Sequence, residues 1–308
     1  LKALDLKPEV REGIWRLADP KISITSAAAM LVGVAPAVRL DQFSFSWLAV
    51  TALAFFCMEV AKNAWGDVID FESGTDLAVR PEDRTAFSGG KRVIVDGLLT
   101  REQTWLVAAV FGGSGLLLGA LIVFFREPLA LWIGLIGALL GWSYHGPPLK
   151  LAYRGLGELD VVLCYGPLIV LSTYLIQSHE LTWAVFWLSL PLGLFIAAFL
   201  WVNEFPDYEA DLGAGKENLV ARLGRRKASR ALPCIYALAF LLILALPWLA
   251  GVPLSSWFGF FALPFAAFAC WHTWRRPEDF YRSFPVQPAA LFAFNAYAIG
   301  VAAGVIWG

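Results

Sequence analysis

Apolar residues along this chain come in long unbroken runs rather than in alternation with polar ones. An α-helix needs about 17–25 apolar residues to cross a bilayer. Nine stretches qualify: 22–38, 46–66, 104–125, 128–145, 159–178, 182–203, 231–249, 255–271 and 286–307. The pattern predicts an all-α, polytopic membrane helix bundle of about nine transmembrane helices. The first and eighth runs are short. The links alternate in length: 39–45, 126–127, 179–181 and 250–254 are brief, whereas 67–103, 146–158, 204–230 and 272–285 are longer.

Composition agrees with the runs. The chain has 308 residues, 58% of them hydrophobic, with a mean hydropathy of +0.63 and only 16% charged. A soluble domain carries about a quarter charged residues. The net charge of −1 gives no reason to expect a nucleic-acid partner, and nothing in the sequence points to a protein partner. The placement of charge says more. Of 24 Lys and Arg, only Arg39 and Arg126 lie in the brief links. Positive residues stay on the cytoplasmic side. The expected arrangement is an integral inner-membrane protein with a cytoplasmic N-terminus and long links, and a C-terminus outside. Residues 1–308 are expected to form one domain, with a cytoplasmic segment at 1–21 and cytoplasmic loops at 67–103 and 204–230 capping a site. The 1–21 segment mixes acids and bases and lacks the basic-then-apolar order of a secretory signal. Cys57, Cys164, Cys234 and Cys270 sit in apolar runs without CxxC spacing and read as buried small hydrophobes. His145, His179 and His272 are too scattered in sequence to suggest a metal site.

Two stretches break the apolar pattern in the same way. The run SWLAVTALAFFCMEVA leads into NAWGDVIDFESGTD, where Asn63, Asp67 and Asp70 fall on one helical face before Gly74, Thr75 and Asp76 leave the helix. At the end of the sixth run, NEFPDYEADLGAGKENLVARLGR puts Asn203, Asp207 and Asp211 on one face. An ionised carboxylate at bilayer depth faces a cavity or a partner. Two facing clusters repel unless cations lie between them. Oxygen donors without Cys or His suit a hard ion, Mg²⁺ above all, which completes its shell with water and substrate phosphates. The implied substrate is a phosphate or diphosphate with a lipid tail. A cation-coupled transporter is the remote alternative, since transporters bind nearer the midplane.

The links supply candidate partners for such a substrate. Arg80, Arg84, Lys91 and Arg92 in LAVRPEDRTAFSGGKRVIVDGLLT are positioned to meet diphosphate oxygens, one from each adjacent pair. Ser88-Gly89-Gly90 adds flexible backbone N–H groups. In GWSYHGPPLKLAYRGLGELD, Pro147-Pro148 ends the fourth span. Lys150 is expected to reach a phosphate or an acidic acceptor. Tyr144 is expected to line the place where cationic character develops. Glu158 and Asp160 read as acids at a helix N-terminus. Gly115 and Gly119 have the spacing of a close-packing helix face.

The paired Asn/Asp clusters on the second and sixth of nine spans resemble the UbiA superfamily of membrane prenyltransferases, over nearly the whole chain. NAWGDVIDFESGTD followed by FSGGKRVIVDGLL looks most like the branch that prenylates 1,4-dihydroxy-2-naphthoate in menaquinone synthesis. The resemblance implies that Asn63, Asp67 and Asp70 form the first metal–diphosphate motif and Asn203, Asp207 and Asp211 the second. They would hold Mg²⁺, two ions by the proposed mechanism, against the polyprenyl diphosphate. Tyr144 and Lys150 match the Tyr/Lys link after the fourth helix. Ala64 departs from the Asp that often follows the first Asn, and Gly66 from an Asn often found in the naphthoate branch. The metal shell is therefore expected to rest on Asp67 and Asp70. The implied partners are a polyprenyl diphosphate, an aromatic acceptor and the lipid bilayer. Another acceptor, or a terpene-cyclase-like reaction of the same donor, is the alternative within the superfamily.

Overall fold

A computed structural model describes residues 7–308. Residues 1–6 of the expected 1–21 segment lie outside the described residues. The described part of that segment forms a helix, α1 (Pro8–Ala18), and then runs into α2 (Pro20–Arg39) across a kink at Asp19, whose φ is 37°. Pro8 and Pro20 each stand in a first helical turn, where a missing N–H costs nothing.

The expected spans are helices, and two of them overrun their apolar runs. α3 (Phe45–Ser73) continues through the first acidic cluster until Gly74, whose φ of 81° turns the chain out of the helix. A short helix, α4 (Thr75–Ala78), follows. The loop expected at 67–103 is therefore helical at its start. α5 (Arg101–Phe125) begins at a reciprocal cap: Thr100 accepts from the Gln103 N–H, and the Gln103 side chain accepts from the Thr100 N–H. α6 (Ala130–His145) has 16 residues and ends just before Gly146 and Pro147-Pro148.

The fifth span is α7 (Gly157–Leu163), a wide turn at Cys164–Leu168 and α8 (Ile169–Ser178). Pro167 lies in the wide turn, where it has no N–H to donate. α9 (Trp183–Gly213) is the longest helix and carries the second acidic cluster, so the link expected at 204–230 is also helical at its start. After α10 (Leu219–Leu223), capped by Asn218, comes α11 (Arg225–Leu249). The eighth span is part 3₁₀-helix (Leu254–Ala262) and part α-helix, α12 (Leu263–Arg275). α13 (Phe280–Ser283) and α14 (Val286–Trp307) complete the chain. Eight of the described helical segments are long and apolar enough to cross a membrane, and α6 is a ninth, shorter one.

Lipid removes the hydrophobic driving force between helices, so packing and hydrogen bonds hold them together. The main core lies where α2, α9, α11 and α14 meet. Phe195 and Tyr297 stack there at 5.3 Å, and the Tyr297 hydroxyl donates to the Leu188 carbonyl at 2.7 Å. α3 packs on α5. A Cβ on Gly115 would meet Met58 Sδ at 2.7 Å, so the Met58 side chain fills the space this glycine leaves. Gly119 has nothing within 4 Å and takes no part. The cysteines are free, but only Cys57 is buried. Cys234 is exposed on α11, where lipid supplies the apolar surroundings that the sequence assigned to a core.

Candidate active site

The ends of α3 and α9 open onto one cavity of about 750 Å³. Asn63, Asp67 and Asp70 line it from α3, and Asn203, Asp207 and Asp211 from α9. The chain between α4 and α5 is strung between the two helices. The Asp67 carboxylate accepts from the N–H of Val93 and of Ile94, both at 3.2 Å. Asp207 Oδ2 accepts from the Gly89 N–H at 3.1 Å. One loop is thus clamped by a carboxylate from each cluster. Gly90, at φ 76°, lies directly against the Asp76 carboxylate, where a side chain has no room.

The remaining acidic and amide groups have distinct surroundings. Asp70 Oδ1 accepts from the Tyr153 hydroxyl at 2.9 Å, and Oδ2 lies 3.6 Å from His145 Nε2. Asp211 Oδ2 accepts from the Asn218 side chain at 2.7 Å, and Oδ1 lies 3.6 Å from the Lys216 ammonium. Asn63 donates to the Leu17 carbonyl at 2.9 Å, which ties α1 to α3. Oδ1 of Asn203, Asp207 and Asp211 are all buried without a hydrogen-bond partner. Glu204 Oε2 is orphaned beside them. Buried polar atoms normally find partners, so these oxygens, one of them already 3.6 Å from the Lys216 ammonium, mark the end of α9 as a place for a bound cation or donor.

The basic residues expected at the site divide. Arg84, Lys91 and Arg92 line the cavity. Lys91 pairs with Asp19, and Arg92 donates to the Asp76 carbonyl and sits 3.4 Å from Asp96. Arg80 lies off the cavity, 2.7 Å from Asp83. Asp83 also meets Arg282 and the Tyr281 hydroxyl; burial works against its charge, but these partners hold its pKa below the usual carboxylate value. Tyr144 lines the cavity. Lys150 does not, and instead its ammonium is 5.5 Å from the Tyr153 ring. Glu158 does sit at a helix start, but it faces inward and accepts from the Leu219 N–H at 2.6 Å.

Several residues lining or flanking the cavity were not singled out by spacing. Lys216 follows α9, and although burial opposes its charge, Asp211 and then Asp70 raise its pKa well above the ordinary lysine value. Its ammonium is therefore the cation that the paired acids already hold. Tyr153 buttresses Asp70; burial and then Asp70 push its phenol up to about 12, so it stays a donor. Asp76 is buried, and that burial, followed by Asp70 and Asp67, pushes its pKa up to about 8. Being raised above the unfolded value, this group's contribution to stability falls as pH rises from about 4 to about 8. A divalent cation bound beside Asp76 must compete with its proton. Apparent Mg²⁺ affinity is expected to strengthen as pH rises to about 8 and to level off above it. Calorimetric Mg²⁺ titrations across that range check this, and a flat profile contradicts it.

The donor set fits a hard ion. Among the described residues, no three carboxylate, histidine or cysteine side chains are grouped closely enough to enclose an ion by themselves. Oxygen donors spread around one cavity suit an ion that keeps water and substrate oxygens in its shell, as Mg²⁺ does.

Comparison with known proteins bears on the chain as a whole. Residues 23–300 match the model described as the UbiA prenyltransferase family. A 1,4-dihydroxy-2-naphthoate octaprenyltransferase of Bacillus subtilis is 27% identical over 261 residues, covering 81% of this chain and 80% of that protein. A 2-carboxy-1,4-naphthoquinone phytyltransferase of Synechocystis is 30% identical over 213 residues, covering 68% and 64%. Among solved structures, a UbiA homolog from Aeropyrum pernix superposes with a TM-score of 0.64 at 19% identity, covering 92% of this chain and 96% of that one. A UbiA homolog from Archaeoglobus fulgidus bound to GPP and Mg²⁺ superposes with a TM-score of 0.59 at 16% identity, covering 94% and 99%.

Proposed function

The chain belongs to the UbiA prenyltransferase family, and from that premise we propose that it transfers a polyprenyl group from a polyprenyl diphosphate to 1,4-dihydroxy-2-naphthoate, with Mg²⁺ as cofactor. The observation that carries this reading is the single cavity lined by both Asn/Asp clusters, with four orphaned oxygens on its α9 wall, from Asn203, Glu204, Asp207 and Asp211. The naphthoate enzymes among the relatives support the acceptor. The reaction would take place in one membrane-embedded unit. The sorting of Lys and Arg supports an inner-membrane location, with the N-terminus and the site facing the cytoplasm and the C-terminus outside.

Asp67, Asp70, Asp207 and Asp211, with Asn63 and Asn203, would hold two Mg²⁺. Bound Mg²⁺ would neutralise the diphosphate and act as a Lewis acid on its oxygens. Lys216 and the loop residues Arg84, Lys91 and Arg92 would meet the remaining oxygens. The loop clamped by Asp67 and Asp207 would keep water from the reacting carbon. The C1–O bond breaks and diphosphate leaves with the electron pair. Tyr144 would present its ring face to the positive charge that develops. The acceptor ring carbon that bears the carboxylate bonds to C1, and the ring regains aromaticity as the bond from that carbon to the carboxylate breaks and CO₂ leaves.

The test uses the protein in vesicles with geranylgeranyl diphosphate, with and without Mg²⁺, and either 1,4-dihydroxy-2-naphthoate or 4-hydroxybenzoate. A prenylated product is expected only with naphthoate and Mg²⁺. Diphosphate release without any acceptor indicates a cyclase instead. Ion flux with no turnover of this donor or a longer one indicates a transporter.

A further inference from the structure

The cavity contains a lysine that, among the described residues, has no carboxylate within 4.0 Å, although Asp160 and Asp70 lie near enough to act on its charge. Of the basic side chains lining the cavity, Arg16, Lys91, Arg92 and Lys216 each meet a carboxylate within 4.0 Å. Lys21 and Arg84 donate to backbone carbonyls. Among the described residues Lys62 does neither; its ammonium lies 4.6 Å from the centre of the Tyr144 ring. The nearby acid Glu59 is engaged elsewhere, by Ser26 and by the Tyr165 hydroxyl at 3.3 Å. Asp160, buried on α7, acts on the charge of Lys62 without forming an ion pair within 4.0 Å.

Depth separates this cation from the acidic end of the site. α3 runs from its apolar start towards its acidic end, and Lys62 precedes Asp67 and Asp70 by five and eight residues. At 1.5 Å per residue its Cα is about 7–12 Å deeper along the helix axis than theirs. Its side chain leaves the backbone pointing deeper still, because Cα–Cβ bonds tilt towards the helix N-terminus. Tyr165, Val161, Ile196 and Phe199 line the same cavity. An unpaired ammonium in such a wall suits a flat apolar ring carrying one anionic group.

We propose that Lys62 binds the carboxylate of an aromatic acceptor and so selects hydroxyaryl carboxylates over uncharged phenols. The proposal rests on the prenyl-transfer reading of the same cavity. With the ring edge anchored at Lys62, the ring would lie along Tyr144, beside the carbon that becomes positive. A diphosphate has no need of this residue, since the acidic clusters, Lys216 and the loop cations already meet its chemistry.

The experiment compares the parent enzyme with Lys62→Met and Lys62→Arg in vesicles with Mg²⁺ and geranylgeranyl diphosphate. Losing a charge-assisted hydrogen bond is expected to raise the acceptor KM by about tenfold or more. The donor KM should not change, and Lys62→Arg should recover most of the loss. Inhibition by 1-hydroxy-2-naphthoate should weaken by the same factor in Lys62→Met, whereas inhibition by 1-naphthol should not. An equal change for both inhibitors, or a shift in donor KM, overturns the assignment. If Lys62→Met does not fold, an unchanged acceptor KM together with a shifted donor KM in Lys62→Arg also overturns it. A parent enzyme that prenylates no carboxylated ring overturns the underlying reaction instead, which separates the two failures.

Discussion

An Asp207→Asn enzyme is expected to turn over about 10²–10³-fold more slowly than the parent, as when one pre-positioned electrostatic group is removed from an active site. The substitution is informative because it spares the fold. Asp207 uses Oδ2 to accept from the Gly89 N–H and leaves Oδ1 buried without a partner. Asparagine keeps one oxygen for Gly89 and puts an NH₂ where the free oxygen stood. Charge and cation-binding capacity go, while the loop contact stays. The loss should fall on kcat, because the stabilised charge develops on the leaving diphosphate. Single-turnover rates at saturating donor and Mg²⁺ check this. A variant with unchanged kcat and only a raised acceptor KM removes Asp207 from the chemistry.

The spans were legible in the sequence because a bilayer demands long apolar runs, and such runs are visible without tertiary information. The helix at Pro8–Ala18 was not, because its buried residues, Gly13 and Leu17, lie among charges and make no apolar run. The overrun of α3 has a clear cause: nothing between Gly66 and Gly74 breaks a helix. α9 carries on past Pro206, a residue that by itself argues for an end. Facing residues on a helix were equally readable, so both Asn/Asp clusters emerged from spacing. Their support did not. Tyr153 meets Asp70 across 83 residues of sequence, and Val93 meets Asp67 across 26. No local period encodes such contacts. Lys216 had a signal, since it directly follows the second cluster in GAGKEN. Lys62 had one too, as a charge inside an apolar run. Arg80 and Lys150 show the converse, basic residues of the expected loops that lie against Asp83 and the Tyr153 ring and do not line the cavity.

Asp67→Asn is expected to remove about 10²-fold or more of the activity, by a different route from Asp207→Asn. Both Asp67 oxygens are engaged by the loop, one with the Val93 N–H and one with the Ile94 N–H. Asparagine can satisfy only one of them and turns an NH₂ towards the other. A buried N–H left without an acceptor costs about 1–3 kcal/mol. Undocking the loop displaces Lys91 and Arg92 from the cavity as well as opening it to water. Limited trypsin digestion distinguishes this from loss of a metal-binding carboxylate alone. Cleavage after Lys91 or Arg92 should quicken in Asp67→Asn and stay at the parent rate in Asp207→Asn, where the Gly89 contact survives. Equal protection in all three proteins, with activity lost in both variants, would show that Asp67 serves only the cation and that the loop is held by its other contacts. Faster cleavage confined to Asp67→Asn ties the activity loss to the loop, because the same carboxylate that faces the cavity is then the latch that closes it.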